Sequence, residues 1–235
     1  MRKSVSDLKM LFDIFGKEDN MRENTIKLIE ESKIITIVRG VASDKLIPLV
    51  QAMYDGGIRL VECTYDASGK KSDEAVAADI KMLYDTFGDK MAIGAGTVMS
   101  EKQVELTKKA GGSFIISPDT NPDIIKKTIS EELVSIPGAL TPSEVAAAHS
   151  YGADFIKVFP IDLFGSKYIK TLKAPLSNVR LLAVNGISDS NIKEYLDAGA
   201  SGVGVGSGIV NKEMIQSGDF EGITKLAQKY TEKIQ

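Results

Sequence analysis

The chain has 235 residues, 43% of them hydrophobic and 26% charged, with a net charge of −3 and an isoelectric point near 5.4. That length supports one large core, and the acidic balance, with no basic stretch interleaved with aromatics, gives no electrostatic footprint for nucleic acid. Cys63 and His149 are the only residues of their kinds, which excludes a disulfide within the chain and a zinc site built from several nitrogen or sulfur ligands.

The first ten residues lack the continuous apolar core of a signal peptide, and no later stretch is long and apolar enough to span a bilayer, so the expected location is cytoplasmic, with no membrane partner. Residues 1–21 read as an N-terminal extension. Leu8, Leu11, Phe12 and Phe15 fall at helical spacing there and predict a short amphipathic helix that caps the bottom of the fold or a neighbouring subunit. From residue 22 onward, strand-like apolar runs alternate with amphipathic helix-like ones, the pattern of parallel βα units. Eight strands are predicted: Ile34–Arg39, Arg59–Tyr65, Met91–Val98, Phe114–Pro118, Leu133–Ala139, Phe155–Pro160, Val179–Gly186 and Gly202–Ser207. Helix starts are marked by Ser43-Asp44, Ser100 to Gln103, Thr141 to Glu144 and Ser188 to Asn191. Helix ends are marked by Gly56-Gly57, Gly111-Gly112, Gly152-Ala153 and Gly199-Ala200. Eight such units with no linker between them predict a single α/β domain over residues 22–235, a (β/α)8 TIM barrel.

Within that frame Lys157 is anomalous, an ammonium group in the apolar run Phe155-Ile-Lys-Val-Phe159. A lysine on an edge strand can serve only to block aggregation. Burial, however, lowers a lysine pKa and turns the side chain into an amine able to attack a carbonyl. Side chains two apart on a strand share a face, so Ile35, Ile37 and Arg39 form one set, Leu60, Glu62 and Thr64 a second, Ile93, Ala95 and Thr97 a third, and Phe155, Lys157 and Phe159 a fourth. If these faces point inward, Arg39, Glu62, Thr64, Thr97 and Lys157 converge near the strand C-termini, where barrels place their catalytic groups. The competing reading is a buried Glu62–Lys157 ion pair that only holds the barrel together, a weak source of stability.

After the seventh and eighth strands come Val184-Asn-Gly-Ile-Ser188 and Gly204-Val-Gly-Ser-Gly208. Glycines there let backbone N–H groups approach an anion, and barrels commonly bind phosphate at these two loops. They also serve as plain tight turns. No Gly-x-Gly-x-x-Gly follows the first strand, so a dinucleotide fingerprint is absent.

Ile37-Val-Arg-Gly40, Gly56 to Thr64, Gly94-Ala-Gly-Thr-Val98, Ile116-Ser-Pro118, Ile136 to Glu144 and Phe155 to Pro160 together resemble the bacterial 2-keto-3-deoxy-6-phosphogluconate and 4-hydroxy-2-oxoglutarate aldolases over about Ile26 to Lys233. The resemblance implies a class I aldolase, usually a homotrimer, that cleaves a 2-keto acid to pyruvate and an aldehyde without a cofactor or metal. It implies Lys157 as the Schiff-base lysine, Glu62 as general acid/base, Arg39 and Thr97 as contacts to the substrate carboxylate, and Thr64, Phe159 and Pro118 as pocket walls. Asn185, Gly186, Gly206 and Ser207 fall where that family holds a phosphate.

Asp66, Asp119, Val184 and Asn185 depart from the family's usual residues. Asp66 stands where an arginine helps hold the substrate, and with Asp119 it makes the mouth more acidic, which suits a neutral or unphosphorylated substrate or another sugar-acid stereochemistry; the alternative is that both are solvated residues of the rim. Two further readings follow from the residues: a Mg2+-dependent lyase or decarboxylase using Glu62, Asp66 and Asp119, and a non-catalytic barrel that binds a sugar-acid phosphate. Cys63 is expected to face the helix layer, and His149 to lie on a helix without a catalytic part.

Overall fold

Short apolar strands, each followed by an amphipathic helix, close into a (β/α)8 barrel in the computed structural model, which describes residues 21–234. The helix expected around Leu8 to Phe15 lies outside the described residues. The elements are α1 (Met21–Ser32), β1 (Ile34–Val38), α2 (Ser43–Asp55), β2 (Leu60–Thr64), α3 (Asp73–Phe87), β3 (Ala92–Gly96), α4 (Glu101–Lys109), β4 (Phe114–Ile116), α5 (Pro122–Ser130), β5 (Val134–Ile136), β6 (Gly138–Ala139), α6 (Pro142–Ser150), β7 (Ile156–Val158), a 3-10 turn (Ile161–Leu163), α7 (Ser166–Lys173), β8 (Leu181–Val184), α8 (Ile192–Asp197), β9 (Gly202–Val205), α9 (Lys212–Ser217) and α10 (Phe220–Thr231).

The sheet runs β5-β4-β3-β2-β1-β9-β8-β7-β6, parallel throughout. β5 and β6 are two pieces of one predicted strand, split at Pro137, which has no N–H to offer a ladder. β5 pairs with β4 and β6 with β7, so the chain itself joins the two ends of the sheet. Each predicted strand is present, and all but the fifth, which reaches Ala139 as expected, end sooner than expected. Arg39, Thr97, Pro118, Phe159, Asn185, Gly186, Gly206 and Ser207 therefore sit just past the strand ends, on the βα loops.

Two apolar layers follow from strand alternation. The inner one gathers Ile35, Leu60, Ala92, Phe114, Ile116, Val134, Ile136, Phe155, Leu182 and Val184, and the lower end is plugged by Leu28 and Ile29 of α1. The outer one packs Val61, Cys63, Ile93, Ala95, Ile156 and Val158 against the helices. The third strand thus reverses its expected faces. Ile93 and Ala95 point to the helices, and Gly94 and Gly96 point inward, because the barrel interior beside them is already filled by Phe114 and Glu62.

The helix punctuation matches the sequence in part. Ser100 caps α4 through the Gln103 amide, and Thr141 and Glu144 form a reciprocal capping box on α6. α2 begins at Ser43 without a side-chain cap, and Asn191 leaves α8 uncapped. Gly57, Gly111, Gly152 and Gly199 take positive φ after their helices, as the Gly steps predicted. Among the described residues no helix is long and apolar enough to cross a membrane.

Candidate active site

Lys157 is the central residue of β7, flanked by the outward-facing Ile156 and Val158, and so it must point into the barrel, above Phe155. It is 8% exposed. Burial lowers its pKa; Glu62 opposes this and Arg39 reinforces it, and the net direction is downward. The sequence left that balance open, and burial decides it. The Phe159 ring, 4.9 Å from Nζ, forms a wall over the amine.

Glu62 projects from β2 and is 1% exposed. Burial raises its pKa against the pull of Lys157 and then Arg39. Among the described residues no ion pair joins it to Lys157, and its Oε2 has no hydrogen-bond partner. An unpartnered buried oxygen is costly, and with no bridge to Lys157 the ion-pair reading loses its main support.

Arg39 lies at the exposed rim and donates from Nη2 to the Thr97 hydroxyl at 2.8 Å. Thr97 reaches the cup by a route that strand parity does not supply. Its φ of +56°, rare for a β-branched residue, turns the hydroxyl back toward the mouth after the inward-facing Gly96. Thr64 is buried and donates to the Val38 carbonyl at 3.3 Å. Pro118 is exposed at the end of β4, and its carbonyl lies against Gly138, the register partner of Lys157.

The two glycine loops are neighbours, because β8 and β9 pair with Val184 opposite Gly204. Asn185 and Gly186 take φ of +86° and +71°, and both are exposed. Asn191 clamps this loop, donating to the Gly186 carbonyl at 2.9 Å and accepting from the Ser188 amide at 2.8 Å. Open space surrounds the Gly206 α-carbon, and the Ser207 and Gly208 amides donate to no other described residue.

Asp66 differs from its expected role. Its carboxylate accepts from the Ser68 hydroxyl at 2.6 Å, the Ser68 amide at 2.9 Å and the Lys71 amide at 2.9 Å. These bonds, the first largest, hold its pKa down at about 2. The carboxylate is engaged in folding its own loop, a role that the Asp-x-Ser-Gly turn signature could have indicated. Asp119 is exposed. Among the described residues no three His, Cys, Asp or Glu side chains gather as a metal site, so Glu62, Asp66 and Asp119 do not form the donor set that the Mg2+ reading requires. Cys63 faces the helix layer as expected, and burial pushes its thiol up to about 12. His149 is exposed on α6, 3.1 Å from Asn178. Sequence reasoning missed Gly94, Gly96 and Asn191, which shape the cup without contributing reactive groups to it.

A parallel barrel with a buried amine and a buried carboxyl near its C-terminal mouth has the architecture of an aldolase, a carbon–carbon lyase. A family model described as KDPG and KHG aldolase matches residues 25–226, and the chain belongs to that family. It is 30% identical over 203 residues to the 2-dehydro-3-deoxy-6-phosphogalactonate aldolase of Escherichia coli strain K12, spanning 86% of this chain and 96% of the relative. It is also 30% identical to the 2-dehydro-3-deoxy-phosphogluconate aldolase of Treponema pallidum, over 86% of this chain and 93% of that one. Among solved structures, the KDPG aldolase of Legionella pneumophila, with pyruvate captured as a covalent carbinolamine at low pH, superimposes with a TM-score of 0.77. The two are 28% identical over 86% of this chain and 96% of that one.

Proposed function

We propose that the protein is a class I aldolase that cleaves a 2-keto-3-deoxy sugar acid, of the 2-keto-3-deoxy-6-phosphogluconate or 4-hydroxy-2-oxoglutarate type, to pyruvate and an aldehyde (glyceraldehyde 3-phosphate or glyoxylate). The observation that carries this reading is the buried Lys157, its pKa lowered by burial, in a cup that also holds a buried carboxyl with a free oxygen. The neutral amine of Lys157 adds to the C2 ketone, and loss of water gives a protonated imine. Glu62, directly or through one water, removes the C4 hydroxyl proton. The C3–C4 bond then breaks, the aldehyde leaves, and the electron pair moves into the imine to form a pyruvate enamine. Glu62, now acting as the acid, protonates the enamine at C3, and hydrolysis releases pyruvate and regenerates Lys157. The imine is the electron sink, so the reaction needs no metal.

Arg39 and Thr97 are assigned to the pyruvyl carboxylate, and Thr64, Phe159 and Pro118 to the walls. Asn185, Gly186, Gly206 and Ser207 are assigned to the far end of the substrate, where the free Ser207 and Gly208 amides suit an anion. By family resemblance the protein is cytoplasmic, one barrel domain over residues 22–235, and a homotrimer; exposed Leu163 and Phe164 offer apolar surface for assembly. A solution mass three times that of the chain would support the trimer, and a monomeric mass would reject it.

The test of the reaction is incubation with pyruvate and borohydride followed by peptide mapping. A stable adduct on Lys157, lost in Lys157→Arg because a guanidinium cannot be deprotonated, is the expected result. An adduct scattered over surface lysines, or an active Lys157→Arg variant, would overturn it.

A further inference from the structure

Glu62 lies opposite Gly94 in the β2–β3 register, and Thr64 lies opposite Gly96. The Glu62 side chain does not stay at its own level. It leans along the strand toward the barrel mouth, as strand side chains do, and its carboxyl comes to rest over the α-carbon of Gly96. A Cβ built on Gly96 would stand 2.6 Å from Glu62 Cγ and would overlap the carboxyl group itself. Gly94, two residues earlier, leaves room in the same way for the Phe114 ring. The two glycines share an inner face but serve different neighbours, Gly94 a packing residue and Gly96 an ionisable one.

Gly96 takes no positive φ, so backbone freedom does not explain a glycine there. Its missing side chain does. The space it leaves is occupied by a carboxyl that makes no ion pair with Lys157, leaves Oε2 without a partner, and is 1% exposed. We propose that Gly96 is a positioning residue for the aldolase reaction: by presenting bare backbone to β2 it creates the compartment in which the Glu62 carboxyl is held, raised toward the mouth and free of protein partners. This rests on the assignment of Glu62 as the acid/base of the reaction.

The nearest atoms that the added methyl of Gly96→Ala meets are the carboxyl and Cγ of Glu62 and not backbone, so it is accommodated by turning that side chain rather than by breaking the barrel. Four proteins decide the matter: the parent, Gly96→Ala, Glu62→Asp, and the double variant. Each is assayed for borohydride trapping of pyruvate on Lys157 and for exchange of the pyruvate methyl protons with deuterium, followed by NMR across pH. Neither assay requires knowledge of the aldehyde. Gly96→Ala is expected to keep the Lys157 adduct and the apparent affinity for pyruvate while its exchange rate falls about 100-fold or more, the scale of a lost general acid/base, with a displaced pH profile. Glu62→Asp draws the carboxyl back from the place Gly96 clears, so it should slow exchange on its own, and the double variant should be no slower than the slower single variant, because both changes act through one group. Parent-like exchange and pH profile in Gly96→Ala, or losses that multiply in the double variant, would overturn the proposal. Should Gly96→Ala fail to fold, cooperative folding, by circular dichroism, of Gly96→Ala combined with Glu62→Ala, which removes every overlapping atom of that side chain, supports it, and continued misfolding rejects it. Glu62→Gln separates the two ideas: full exchange in that variant removes the acid/base assignment itself, whatever Gly96→Ala does.

Discussion

Burial shifts both Glu62 and Lys157 toward their neutral forms, and the two shifts change stability with pH in opposite directions. Between the ordinary carboxylate range and its raised folded value, Glu62 holds a proton in the native state that the unfolded state has released, so stability falls as pH rises through that window, by up to about 1.4 kcal/mol per pH unit. Lys157, with its pKa lowered, binds fewer protons folded than unfolded between that lowered value and about 10.4, and there stability rises with pH. Glu62→Gln removes the first effect, and by taking away the charge that opposes the Lys157 shift it widens the second. The variant should therefore gain stability relative to the parent as pH increases from 4 to 8, measured by urea unfolding at each pH. A difference that stays flat or shrinks across that range would contradict the buried, raised carboxyl. The same arithmetic explains why such a pair is kept for chemistry: at neutral pH each group costs stability that apolar side chains would not.

At the scale of elements, the barrel and most of the cup were legible in the sequence because β1, β2 and β7 each carry bulky or charged side chains at inward positions, and period-two alternation then assigns the faces. β3 was not legible by that rule. Its inward residues are Gly94 and Gly96, and the bulk that fills their space comes from Phe114 on β4 and Glu62 on β2. Alternation within a single strand cannot report what a neighbouring strand supplies. Thr97 was assigned to the right cup by the wrong route, since the change of direction at φ +56° is a backbone feature with no residue signature. The division of the fifth strand, by contrast, was written in Pro137, which is poorly suited to the interior of a ladder. Asp66 shows the limit of reading a charge by position alone: its effect at the mouth depends on the three donors that its own loop turns toward it.

Across the whole molecule, stability and chemistry are separated between the two ends of the barrel. The helices run antiparallel to the strands, so α2 ends at the bottom, where the first βα unit meets α10. Thr224 donates to the Ala52 carbonyl at 3.0 Å and Thr231 to the Gly56 carbonyl at 2.9 Å, fastening α10 to the end of α2. Gly56 allows this approach, because a Cβ there would stand 2.8 Å from the Thr224 carbonyl oxygen and would collide with the Ala227 side chain. Unlike the Glu62 carboxyl, these are atoms of helical backbone and of a side chain with no rotamer to change, so the strain must be taken up by shifting α10. Gly56→Ala should lower stability by about 1–3 kcal/mol, the usual cost of overpacking a well-filled contact. It should leave the Lys157 adduct and the pyruvate exchange rate at parent values, because the strand C-termini are untouched. Gly96→Ala should do the reverse, losing exchange with a smaller loss of stability. The pair of alanine substitutions, compared by thermal melts and by proton exchange, thus tests whether the two ends are independent. If Gly56→Ala slowed exchange as much as it destabilised the fold, the bottom closure would be coupled to the cup and the division of labour would fail.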